Sequence, residues 1–332
     1  MTAGLAQWGV KAETTYGTPV TVDRFMALIE DGLEPVYEVV EAEDEMYAGS
    51  LVQRVSQADP YIAGVSGSIK AYVPTSGFGL YLKHALGAAS VGTVSDSNYT
   101  QTHTLSGQGK YGLSLTGQSG RPLNPSGTVQ PFTWHGLKIL SLELALEREG
   151  FLTTTIEFDG EDVGTGVALA TASYPAIAAG AQKFPWRTAT LEVDSSAVEV
   201  TAFSVKVTWP MKTDRRYLRG SALKKEPVVS GKAMVEWSFE ADFADLSDYN
   251  RFAGTNIDDR IGAIDFAITG IAALGGTTLP QLTVSLPAAR WDAGPPTVSG
   301  YDPLIYSASG IALDNDSDEP ITITYRTTDA AV

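Results

Sequence analysis

Residues 203–254 carry a pattern that returns, weakened, in residues 36–87, and a chain that repeats itself is constrained to fold as two like units. In the later copy Phe203, Val205, Val207 and Trp209 share one face of a period-two strand. A basic segment with Tyr217, Gly220 and Ser221 follows, and a second strand from Gly231 sets Val235, Trp237, Phe239 and Ala241 against Met234, Glu236, Ser238 and Glu240. A helical stretch over 245–253 ends at Gly254. The earlier copy offers a strand over 36–40, then Tyr47, Gly49 and Ser50, then a strand from Gly67 with Ile69, Ala71 and Val73 on one face. Its helix, 78–86, closes at Gly87. Gly49 and Gly220 are 171 residues apart, Gly67 and Gly231 164, Gly87 and Gly254 167, so order survives while loop lengths drift.

A length of 332 residues accommodates two domains, each with its own core, or one large β-domain. The reading adopted is a first β-domain over 1–165 with an N-terminal arm, a Gly-, Ala- and Thr-rich linker over 166–183, and a second β-domain over 184–332. Cysteine is absent, which removes disulfides, zinc–thiolate sites and thiol nucleophiles. The first residues show no basic region followed by an apolar run, and no stretch is apolar enough to span a bilayer, so a cytoplasmic protein without membrane contact is expected. The formal charge of −16 argues against tightly bound nucleic acid, which depends on phosphate neutralisation.

Strand alternation dominates the chain. Residues 24–30 predict a strand, residues 47–66 a long loop, residues 88–102 another loop, and Leu113 and Leu115 a short strand broken over 117–127. Leu140, Leu142, Leu144 and Leu146 form the clearest stripe, opposed by Ser141, Glu143, Ala145 and Glu147; the chain turns at Glu149 and Gly150 and returns through Leu152, Thr154, Ile156 and Phe158. A hairpin is read around 194–199, further strands at 264–268 and 282–286, and a final pair, 305–313 with 321–326, around an acidic turn. The fold class is all-β with one short flanking helix per half.

No motif carries catalysis. Gly107, Gly109 and Gly112 spell G-x-G-x-x-G, but strand alternation follows and no βαβ unit surrounds them, so they read as a turn. Asp314, Asp316 and Asp318 have the spacing of a calcium loop, yet Glu319 stands where its glycine is needed and Tyr325 where its bidentate Glu is needed. His84, His103 and His135 are too scattered for a zinc motif. No serine sits in a nucleophile elbow, and Glu143 with Glu147 or Glu236 with Glu240 reads as the wet face of a sheet rather than a glycosidase pair. An enzyme, a cofactor and a metal are therefore not expected.

Charge is distributed unequally between the copies. Lys206, Lys212, Arg215, Arg216, Arg219, Lys224, Lys225 and Lys232 crowd one segment, whereas the corresponding part of the first half holds Glu34, Glu38, Glu41, Glu43, Asp44 and Glu45. Complementary charge in corresponding segments suits self-association. The candidates for it are Tyr47, Gly49, Arg54, Arg215, Arg216, Arg219, Lys224 and Lys225, and the loops over 47–66 and 215–230 are expected to be ordered mainly by neighbouring subunits.

The opening Trp8-Gly9-Val10-Lys11-Ala12-Glu13-Thr14-Thr15-Tyr16-Gly17-Thr18-Pro19-Val20, the apolar Arg24-Phe25-Met26-Ala27-Leu28 and the closing Ile321-Thr322-Ile323-Thr324-Tyr325-Arg326-Thr327-Thr328-Asp329 together resemble the major tail tube proteins of long, non-contractile-tailed bacteriophages, especially those infecting actinobacteria. The resemblance implies a β-sandwich or half-barrel with a flanking helix in each half, assembled into stacked rings around a channel for the genome, and no active site. It places the protein in the virion tail, and in the host cytoplasm during assembly. Its partners would be itself, other tail proteins such as tape measure, chaperone and terminator, and genomic DNA only in transit. Duplication favours three chains per ring over six, with Glu143, Glu147, Glu236 and Glu240 as candidates for an acidic lumen. The alternative is a two-domain β-sandwich that binds a receptor or carbohydrate, which would gather exposed aromatics at loop tips.

Overall fold

The computed structural model describes residues 6–46, 49–94, 98–124, 126–174, 183–243, 246–273, 276–296 and 304–332. The first part of the chain forms β1 (Gln7–Ala12), β2 (Arg24–Met26), β3 (Leu28–Asp31), β4 (Glu34–Glu41), β5 (Ala58–Tyr72), the helix α1 (Gly79–Leu86), β6 (Gly87–Thr93), β7 (Tyr99–Leu105), β8 (Leu115–Pro122), β9 (Val129–Glu147), β10 (Thr153–Gly160) and β11 (Asp162–Gly164). The second forms β12 (Ala189–Val193), β13 (Ser196–Val198), β14 (Val200–Thr208), β15 (Met211–Lys212), β16 (Val228–Val229), β17 (Met234–Asp242), the helix α2 (Ser247–Phe252), β18 (Ile261–Thr269), β19 (Gln281–Trp291), β20 (Ile305–Ala312) and β21 (Thr322–Thr327). The fold is all-β, as the alternation requires, with two short helices.

Strand order recurs. In the first part β2 pairs with β1, β1 with β8, β8 with β9, β9 with β10 and β10 with β5, and β5 returns to β3 and β4, which continue β2. In the second, β13 pairs with β12, β12 with β18, β18 with β19, β19 with β20 and β20 with β17, and β17 returns to β14, which continues β13. All these pairs are antiparallel, and each set curls into a half-barrel. A helix follows the equivalent strand in both, α1 after β5 and α2 after β17.

Two pairings join the parts. β9 runs beyond its partner β8 and lays Ser141, Leu142, Glu143, Leu144, Ala145, Leu146 and Glu147 against β14. β21 pairs with β19 on one side and with β7 on the other. The result is a continuous sheet ordered β5–β10–β9–β14–β17–β20, whose inward side chains include Leu142, Leu144, Ile156, Val205, Val207 and Trp237, all nearly inaccessible to solvent. Phe203 stacks on Phe266 at 4.3 Å between centroids, and Trp237 meets Trp291 edge-on at 4.7 Å, so the second part has an aromatic core of its own behind this sheet.

The helices differ in role. α1 is buried along almost its whole length, with Leu80, Tyr81, Leu82, His84, Ala85 and Leu86 inside and Lys83 partly exposed, and is ended by Gly87 in the left-handed region at φ 101°, the usual glycine solution to a helix C-terminus. α2 buries none of its residues and lies on the surface. Three loop expectations are corrected by the strand pairings. Residues 58–66 are the first half of β5, held by β4; residues 88–93 and 99–102 lie in the paired strands β6 and β7; and β8 runs through Gly117 and Gly120 to Pro122 because only glycine there leaves room for Trp8 and for the side chains of Gln7 and Val129. β20 and β21 do not pair with each other across the acidic turn: both lie against β19. β12 likewise pairs with the short β13 rather than with β14.

Candidate assembly surfaces

The outward face of the shared sheet is a polar lattice. One row reads Lys70, Thr155, Glu143, Lys206 and Glu236 across β5, β10, β9, β14 and β17; a second reads Glu147, Ala202, Glu240 and Ser307 across β9, β14, β17 and β20. Between them, Ala145, Ser204 and Ser238 form a smooth row in which the two serine hydroxyls are 2.8 Å apart. All four candidate lumen residues, Glu143, Glu147, Glu236 and Glu240, thus share one face of one sheet that neither part of the chain could build alone. Glu157 is on the same face, and Lys206 sits beside Glu143 and Glu236 with its ammonium 3.9 Å from Glu157. Five carboxylates against Lys70 and Lys206 leave the face acidic, and at such exposure the ion pair contributes little to stability.

The basic segment lies against the first part of the chain. Trp209 donates its indole N–H to the carbonyl of Ala85 at 2.7 Å. Lys224, 4% exposed, holds Asp159 at 2.6 Å; Arg216 donates to the carbonyl of Ala63 and covers the ring of Tyr61; Glu226 accepts from Gly112 N at 2.7 Å and pairs with the buried Lys138. Within residues 215–230, Arg216, Lys224 and Glu226 thus make contacts inside their own chain, while residues 217–222 are exposed. Of the candidate self-association residues, Arg216 and Lys224 are committed to these internal contacts. Arg215 is half-buried and donates to the carbonyl of Glu226 at 2.6 Å. Arg219 and Lys225 are exposed, the first donating to Leu223 O and the second lying over Tyr217. Gly49 and Arg54 are exposed near the tip of the β4–β5 hairpin, and Tyr47 lies outside the described residues.

Beneath the segment runs a buried polar network. Lys110 is 2% exposed and directs its ammonium at the carbonyls of His84, Ala85 and Ile139, capping the C-terminus of α1 below the ring of Trp209. Burial pushes its pKa well below that of a free lysine, with Lys138 adding repulsion. Glu13, in the opening stretch, binds Ser114, Thr116 and the amides of Gly17 and Gly136, so it ties β1 to β8 and to the bend of β9. Glu161 packs nearby against Tyr16, and desolvation lifts its carboxyl to about 7 despite Arg219. Nothing in the sequence pattern singled out Lys110, Lys138 or Glu13 as buried, because a lone charge reads as solvent-facing.

Burial pushes His84 down to about 3 and His103 down to about 4, so both stay neutral, and no group of histidines and carboxylates among the described residues has metal-holding geometry. The side chains of Asp314 and Asn315 tie this turn by accepting from the amides of residues 316–318, and Asn315 donates its amide to the Asp318 carboxylate. Of the six tryptophans, five are buried and Trp186 is exposed.

Comparison with curated proteins finds no match. The family model described as phage tail tube protein matches residues 5–325, from before β1 to within β21. A match over almost the whole chain includes both half-barrels and the sheet they share, and on it the chain belongs to the phage tail tube protein family, a structural component of the virion tail.

Proposed function

We propose that the chain polymerises into stacked rings that form the bore of a phage tail, three chains to a ring, and that each half-barrel is one tube unit. The observation that carries this reading is the continuous sheet β5–β10–β9–β14–β17–β20, in which equivalent strands of two like units already stand side by side as neighbours in a ring would. Three chains then supply six units around a pseudo-sixfold axis, and head-to-tail contacts close the ring without free sheet edges. The polar face lines the bore, where Glu143, Glu147, Glu157, Glu236 and Glu240 repel the passing phosphate backbone over about a Debye length, roughly 8 Å at physiological salt. The genome slides past and does not bind. The ends of the ring meet other rings and, at the ends of the tube, the tape measure, chaperone and terminator proteins; assembly takes place in the host cytoplasm.

Negative-stain microscopy of the purified protein, with mass measurement of a single ring, tests the proposal. Rings or tubes of uniform bore and a mass of three 35.2 kDa chains are the expected result. Six chains per ring would overturn the stoichiometry, and a bore lined chiefly by Lys and Arg would overturn the account of DNA passage.

A further inference from the structure

The internal repeat identifies the contact between chains residue by residue, given the ring reading above. Matching Ile69 and Ala71 of β5, and Val73 just after it, to Trp237, Phe239 and Ala241 of β17 sets the first residue of α1, Gly79, on the first residue of α2, Ser247. Carrying that match across the hydrogen-bonded registers pairs residues 28–34 with the β14 stretch that begins at Phe203, and residues 290–296 with residues 141–147 of β9. Within the chain the latter stretches are joined, β9 to β14. Their counterparts are not. Among the described residues β3 pairs only with β5, and after Trp291 the backbone bonds toward β20, through Asp292 N to Ser309 O at 2.9 Å and Ala293 O, which accepts from the Tyr306 hydroxyl at 3.3 Å, while the Asp292 carboxylate is held by Arg290 at 2.7 Å and faces Arg260 at 3.6 Å.

We infer that residues 290–294 of one chain pair antiparallel with β3 of the next, as β9 pairs with β14 inside the chain. The register follows from the within-chain one: Asp31 meets Ala293, Glu30 meets Gly294, and Glu34 meets Arg290. The last pair brings opposite charges together where the internal copy has Thr208 and Ser141. Pro295 and Pro296 lack amides and end the ladder. At its margin the carbonyls of Leu33 and Trp291 already accept from Arg121 and Arg260, so the pairing centres on Asp31 and Ala293. The occupant is a second copy of this chain because only a half-barrel of this kind presents the complementary edge in the position the repeat defines.

Disulfide trapping tests the contact in a chain that has no cysteine of its own. Glu30 is exposed, and a Cβ at Gly294 would meet nothing closer than the Phe252 ring at 3.6 Å, so the variant carrying Glu30→Cys and Gly294→Cys is tolerated. Opposed residues in a non-hydrogen-bonded pair come within about 4.5 Å at Cα, close enough to bridge. Oxidation of assembled rings should give a non-reducing gel ladder that stops at three chains, and mixing the two single variants should give linked pairs only. Ala145→Cys with Ser204→Cys, the internal counterpart, must link within one chain and serves as the folding control. Rings seen by microscopy without cross-links, or a ladder reaching six chains, would overturn the contact while leaving the tube reading standing. Failure of the unmodified protein to form rings at all would remove that reading and the contact with it.

Discussion

Replacing Asp159 with Ala should loosen the basic segment from the first half-barrel. Lys224 is 4% exposed and Asp159 9%, and their charged atoms are 2.6 Å apart, so the substitution leaves an ammonium buried without its counter-charge. Breaking one side of such a pair costs about 3–5 kcal/mol, and the lower end applies here because the Glu161 carboxylate also attracts Lys224. The pair as a whole contributes much less. Desolvation raises the Asp159 carboxyl even against the pull of Lys224, which means that for this carboxylate burial outweighs the attraction. The double variant Asp159→Ala with Lys224→Met should therefore be within about 1 kcal/mol of the parent. Urea unfolding of the four proteins of this cycle gives the energies, and amide hydrogen exchange over 209–230 reads the segment directly. Parent-like stability and exchange in the single variant would refute the reasoning, as would a double variant that loses the sum of both singles.

Two kinds of buried group give stability opposite dependences on pH. Neutral His84 and His103, lowered to about 3 and about 4, stabilise above the unfolded histidine pKa and lose that contribution as acid protonates the unfolded chain first. Glu161, raised to about 7, has the opposite sign: the folded state keeps a proton that the unfolded state has released, so stability falls as pH rises from about 4.5 to 7. Glu161→Gln should accordingly gain about 1–3 kcal/mol at pH 8 and nothing at pH 4, and a thermal melt series with no pH-dependent gain contradicts this. Gly310→Ala puts a Cβ 1.7 Å from the carbonyl oxygen of Arg290 and should cost about 2–3 kcal/mol by prising β20 from β19, read as a lowered urea midpoint. Reversing Glu143, Glu147, Glu236 and Glu240 to Lys should leave rings intact but make tubes retain short duplex DNA at low salt and release it at high salt; tubes that exclude DNA unchanged would show that this face does not line the bore.

The inward stripes were legible because their signal is local. Leu142, Leu144 and Leu146 with Ile156 and Phe158, and Val235, Trp237 and Phe239, alternate in sequence and are buried as read. The outward carboxylates were legible for the same reason. The β6–β7 hairpin was missed because its strands, rich in Gly, Ala, Ser and Thr, owe their form to pairing with β21 from the far end of the chain, and no local pattern records a partner more than two hundred residues away. The basic segment misled in another way. Charge density marked it as a surface, yet Lys224 and Arg216 are turned inward by Asp159 and by the carbonyl of Ala63, contacts that exist only once β5 and β10 have paired.

In the proposed ring the two kinds of junction are unequal, and the inequality has a structural origin. Inside the chain the half-barrels share β9–β14, β7–β21, the buried lysine network and the docked segment 209–230. Between chains only the edge of β3 and the short stretch after β19 correspond to the first of these. The β6–β7 hairpin has no counterpart, because the chain passes from α2 to β18 in eight residues, too few to build one. The acidic β4–β5 hairpin likewise stands where the second half has its basic segment, so the surfaces flanking the two junctions carry opposite charge. Duplication permits this divergence, since a ring of six identical units would need every junction alike. A chain that completes its stronger junction while folding leaves the weaker one for assembly, and a tube built this way comes apart between chains before it comes apart between halves.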